Sequence, residues 1–120
     1  MCIRDSYQIG QMITADAVNL VQPSVTKVGG VTEFLAAAAL TRAHGLKMMP
    51  HSPYFGPGWL ATLQLISALP DAGYVERLFV DLEASLYPDY IHPNQDGFRV
   101  PDGPGLGIEP DPRVIDHYRL

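Results

Sequence analysis

Two short apolar runs, each cut off by a proline, flank one long alanine-rich segment. No other feature limits the folds open to this chain as much. Residues 17–21 (AVNLV) close on Gln22-Pro23, and residues 46–49 (LKMM) close on Pro50. Proline has no ladder N–H and restricts the residue before it, so each run reads as a buried strand that stops there. Between them, residues 31–44 (VTEFLAAAALTRAH) are rich in helix formers and end at Gly45, a residue suited to the left-handed C′ position. Strand, helix and strand at these lengths form a right-handed βα unit of a parallel sheet.

The alternation extends to both sides. Residues 7–15 carry Ile9, Met12, Ile13 and Ala15 and read as the end of a helix. Residues 59–68 place Trp59, Leu60, Leu63 and Ile66 on one helical face before Pro70. Residues 73–80 (GYVERLFV) read as a third strand. From 81 to 120 the periodicity is lost among six prolines, which predicts ordered loop or tail. Residues 1–6 match nothing that follows and read as a non-native or disordered leader. The expected fold is therefore α/β, with three parallel strands and their helices over residues 7–80 and an irregular tail. A closed barrel needs about eight strands and roughly 250 residues. A chain of 120 residues that opens partway through a helix is expected to be a fragment of a larger α/β protein.

Composition narrows the function. Hydrophobic residues make up 47% and charged residues 18%, a balance that favours a packed core over disorder. The count of 8 basic against 13 acidic residues leaves a net charge of −5 and no basic stripe, so no nucleic-acid partner is expected. No run approaches the ~18 apolar residues of a membrane span, and no membrane partner is expected. Cys2, the single cysteine, excludes an intrachain disulfide framework and a cysteine-rich zinc site. With no secretory apolar region at the start, a cytoplasmic location is the expectation.

Parallel α/β folds bind ligands at the C-terminal ends of their strands. The polar residues there are Gln22 with Ser24, His51 with Ser52, and Glu76. His51 has the chemistry to take and give protons near neutrality, or it is a histidine whose ring bonds nearby backbone. Glu76, in an apolar context, is either a desolvated carboxyl that donates a hydrogen bond or the partner of Arg77 or of an outer helix. His44, His92 and His117 lack metal-ligand spacing, and the G-x-S-x-G elbow is absent. The pair Gly29-Gly30 before a helix is a weak anion-binding signal. The run 103–107 (GPGLG) reads as a tight turn.

The run VQPSVTKVGGVTEFLAAAALTRAHGLKMMPHSP resembles the C-terminal part of the mandelate racemase/muconate lactonizing enzyme family of the enolase superfamily. The terminal PDGPGLGIEPD is similar to that family's C-terminal signature, and the resemblance covers roughly residues 7–120. It implies the last part of a modified TIM barrel, (β/α)7β, with residues 17–22, 46–51 and 74–77 on its sixth, seventh and eighth strands. The tail would run toward a capping domain. Members bind Mg²⁺ and abstract the proton alpha to a carboxylate, giving racemisation, epimerisation, dehydration or cycloisomerisation. The resemblance thus implies a lyase or isomerase, most specifically an acid-sugar dehydratase or a related racemase. Its partner would be a small carboxylate or sugar-acid substrate, and the parent would be a homo-oligomer.

By position, His51 matches the acid/base histidine and Glu76 the eighth-strand glutamate that hydrogen-bonds the substrate carboxylate, with Ser52 beside them. Ser24 falls where the racemase-like branch has an aspartate that orients the histidine and the lactonizing branch has a lysine. Ser24 is expected to give the imidazole a neutral hydrogen bond instead, and Lys27 to turn away. The Mg²⁺ ligands would lie upstream, so this chain alone is expected to bind no Mg²⁺ at the family site and to be inactive. A non-catalytic barrel homologue and a separate small α/β binding module are the alternatives.

Overall fold

The computed structural model describes residues 5–70 and 74–120. Helix α1 spans Ser6–Thr14 and is capped by Asp5, whose carboxylate accepts the amide of Gln8 at 2.8 Å. Such a cap satisfies one of the orphan N–H groups of the first turn. This corrects the sequence-based expectation of a helix without a start signal, because the signal is Asp5. Ser6 is also tied in, since its Oγ donates to Glu33 Oε2 at 2.7 Å. The remainder of the expected leader, residues 1–4, lies outside the described residues.

Strand β1 (Leu20–Val21) and strand β2 (Lys47–Met48) pair in parallel, with Leu20 opposite Lys47 and Val21 opposite Met48. The register continues past both strands through Met49 N–H to Val21 O (3.0 Å) and His51 N–H to Pro23 O (3.1 Å). Helix α2 (Val31–Ala43) makes the crossover, as the alanine-rich run predicts. Two glycines let the chain enter it: Gly29 and Gly30 adopt φ of 105° and 96°, a region closed to most L-residues. Helix α2 buries two faces. Phe34, Ala38 and Met48 pack with Val25, Val28 and Leu65, while Ala37 packs with Ile9, Ile13 and Val21. Phe34 is fully buried, a burial that stabilises by about 1.5–3 kcal/mol.

Helix α3 (Pro57–Ser67) starts two residues earlier than expected, because Pro57 suits the first helical turn. Its Trp59, Leu60 and Leu63 pack against Tyr87 and Ile91 of the tail. Trp59 Nε1 donates to Tyr90 O at 2.7 Å, and its ring meets Phe98 edge-on at 4.9 Å. The tail is therefore a packed cover over α3. It includes a 3₁₀ turn (Pro88–Tyr90) and helix α4 (Pro112–Tyr118), an element not expected from the sequence.

The third strand is also corrected. Residues 71–73 lie outside the described residues, and residues 74–80 form no ladder. Side chains hold this segment instead. Ser52 Oγ donates to Glu76 O at 2.6 Å, and Arg77 Nε donates to Ile91 O at 2.8 Å. Beyond Arg77, Leu78, Phe79 and Val80 are exposed, and only Val75 of the apolar run that suggested a buried strand packs against the core.

Candidate active site

Both strands end on proline, and the two segments that follow lie side by side. After Pro23, the Ser24 carbonyl accepts the amides of Lys27 and Val28, both at 2.9 Å. This tight turn folds Lys27 back over the end of β1. After Pro50, the His51 amide is anchored to Pro23 O, which fixes His51 beside the turn. Glu76 reaches the same place from its irregular segment because buried Ser52 binds it twice. The Ser52 hydroxyl takes the Glu76 carbonyl, and the Ser52 amide donates to Glu76 Oε2 at 3.3 Å.

The result is a row of three titratable side chains. Glu76 Oε2 lies 2.7 Å from His51 Nδ1, and Lys27 Nζ lies 3.3 Å from His51 Nε2. The His51 and Glu76 side chains are 37% and 35% exposed, open enough to meet a solute. His51, Ser52 and Glu76 are thus brought together. Lys27 was expected to turn away and instead faces the imidazole. Its partner lies 24 residues away, and no local pattern in the sequence pointed to the contact.

Ser24 does not contact the imidazole, and the expected hydrogen bond to it is corrected. The Ser24 hydroxyl is buried and lies 3.1 Å from both Thr26 Oγ1 and Tyr54 OH. Tyr54 OH in turn donates to the carbonyl of His51 at 3.2 Å. One polarity satisfies the series: Thr26 donates to Ser24, Ser24 to Tyr54, and Tyr54 to His51 O. Ser24 therefore has no proton left for the ring and supports the His51 backbone through Tyr54. Tyr54 itself gave no sign in the sequence, because it lies six residues past β2 and meets Ser24 only through the fold.

Among the described residues, no three His, Cys, Asp or Glu side chains converge to hold a metal ion. The acidic member of the row is already paired with the imidazole. The described residues of this chain do not fit a Mg²⁺ site. No helix among the described residues is long and apolar enough to cross a membrane.

The model of the enolase C-terminal domain-like family matches residues 1–114. The D-gluconate dehydratase of Thermoproteus tenax is 31% identical over 113 residues, 91% of this chain and 22% of that protein. The D-galactarolactone cycloisomerase of Agrobacterium fabrum is 28% identical over 124 residues, 95% of this chain and 33% of that protein. The crystal structure of an enolase superfamily member from Polaromonas sp. JS666 superposes with a TM-score of 0.82 at 31% identity, covering 97% of this chain and 31% of that one. The chain thus spans a third or less of the length of these relatives. With its fold, its motifs and its matches in agreement, the chain belongs to the enolase C-terminal domain-like family, alongside the mandelate racemase/muconate lactonizing enzymes of the enolase superfamily.

Proposed function

We propose that this chain is the C-terminal part of an acid-sugar dehydratase, or of a related racemase or cycloisomerase, that abstracts the proton alpha to a carboxylate. The pairing of His51 Nδ1 with Glu76 Oε2 at 2.7 Å carries this reading. An imidazole whose Nδ1–H is held by a carboxylate keeps its Nε2 lone pair for a proton, the arrangement a general base needs. His51 is assigned the proton transfer. Glu76 has a second oxygen free of the imidazole for a substrate group, and Ser52 positions it. Ser24 supports the His51 backbone. The names of the relatives, which act on gluconate and galactarolactone, support a sugar acid as substrate.

The remaining strands of a (β/α)7β barrel, the capping domain and any Mg²⁺ ligands are assigned to sequence outside this chain. The chain alone is then inactive. The test is expression of the chain joined to its natural upstream sequence, followed by assay on a panel of six-carbon aldonates and aldarates for the 2-keto-3-deoxy product, with racemised and lactone products scored alongside. Turnover that His51→Asn lowers by about 10²–10⁴-fold is expected. Unchanged turnover in His51→Asn would remove His51 from the chemistry. Absence of turnover on every substrate would favour a non-catalytic homologue, the reading to which Ser24 in place of a charged residue lends support.

A further inference from the structure

Lys27 is the second partner of the imidazole, and its chemistry is specific. A lysine ammonium has three donors and no acceptor. Its contact with His51 Nε2 at 3.3 Å therefore requires that nitrogen to accept, which leaves the ring proton on Nδ1. Nδ1 is the atom facing Glu76 Oε2 at 2.7 Å, and a carboxylate can only accept. The two contacts demand the same tautomer from opposite sides of the ring. Among the described residues no carboxylate is paired with Lys27.

We propose that Lys27 is a positioning residue for His51. It holds the imidazole as the Nδ1–H tautomer, covers the Nε2 lone pair at rest, and uncovers it when an anionic oxygen of the substrate draws the ammonium away. Ser24 makes no contact with the ring, and Lys27 of the same turn supplies one three residues later. The use of the uncovered lone pair rests on the proposed function. The tautomer does not.

The test is ¹⁵N NMR of the chain with ring-labelled histidine, assigned by His51→Gln. His44 is an internal reference, because its Nδ1 lies 2.9 Å from Leu40 O and must carry the proton. For His51 the expected spectrum has a protonated Nδ1 and a hydrogen-bonded, unprotonated Nε2. Lys27→Met should shift the Nε2 resonance and Lys27→Arg should return it, while added gluconate should move it in the wild type only. A wild-type ring that is protonated on Nε2, or averaged between tautomers, overturns the proposal. So does an Nε2 signal unmoved by Lys27→Met. Since no turnover is read, an inactive extended protein would count against the proposed function and leave this result standing.

Discussion

His51 Nδ1 and Glu76 Oε2 lie 2.7 Å apart although they are far apart in sequence and neither sits within a strand. The contact depends on Pro50 ending β2, on His51 N–H reaching Pro23 O, and on Ser52 holding the Glu76 backbone. It joins two half-exposed groups, so it adds little to stability. Exposed pairs contribute about 0–1 kcal/mol. Glu76→Gln is therefore expected to leave the thermal midpoint of the chain nearly unchanged. In the extended enzyme it should lower kcat on the order of 10²-fold, because the ring loses its charged acceptor. A large loss of stability with unaltered kcat would assign the pair a structural role.

Ser24→Asp looks like a restoration of the racemase-like pattern, and the geometry predicts that it will fail as one. Ser24 is 4% exposed, and its hydroxyl bonds to Thr26 and Tyr54 rather than to the imidazole. A carboxylate there would be buried among hydroxyls and should destabilise the chain by about 1–3 kcal/mol. Ser24→Ala removes only neutral hydrogen bonds and should cost about 0.5–1.5 kcal/mol per bond lost. Denaturant midpoints of the two variants give the comparison. A Ser24→Asp variant as stable as the parent would mean that the side chain turns toward His51 after all.

What the sequence made legible follows from what is local. The βα unit could be read because Pro23, Pro50, Gly45 and the alanine run are punctuation that acts within a few residues. The position of His51 at a strand end followed from the same marks. The third strand misled, because the apolar character of Leu78, Phe79 and Val80 signals burial only where a partner exists. Helix α4 carries a local mark as well, since Asp111-Pro112 is a cap followed by a first-turn proline, but the surrounding prolines and lost periodicity obscure it. Lys27 and Tyr54 lay beyond reach for another reason. Their partners are 24 and 30 residues away, and only the turn after β1 and the parallel register bring them together.

Trp59 ties the tail to α3 by two separate means, and two variants resolve them. Its ring is 1% exposed among Leu60, Leu63, Tyr87 and Ile91, while its Nε1 donates to Tyr90 O. Trp59→Phe keeps most of the packing but leaves a carbonyl without its donor, an expected loss of about 1–3 kcal/mol. Trp59→Ala also opens a cavity, for about 3–5 kcal/mol. Limited proteolysis should then cut the tail within residues 86–101 before it cuts α2. Equal cleavage of both regions would show that the tail and the βα unit unfold together.

Helix α4 should depend on acid pH through Asp111. The hydrogen bond from the Arg113 guanidinium, aided by those from backbone amides, holds the Asp111 carboxyl below the usual carboxylate range. A group whose folded value is depressed adds stability that is fully present above its unfolded value. That stability is lost as pH falls through the folded one. Helix α4 is therefore expected to be intact at neutral pH and to fray only below the ordinary carboxylate range. The Asp111 carboxylate also accepts the Arg113 amide at 2.9 Å, so protonation removes the cap and the ion pair at once. The Arg113 side chain is 89% exposed, so added salt should weaken the pair and leave the cap. Amide exchange of residues 113–118 against pH reads this directly. Asp111→Asn keeps a capping oxygen without the charge, and should abolish the pH dependence while retaining most of the protection. Protection factors in α4, taken against the intrinsic exchange rate at each pH, that stay flat from neutral to strongly acid pH in the wild type would show that neither the cap nor the pair holds the helix.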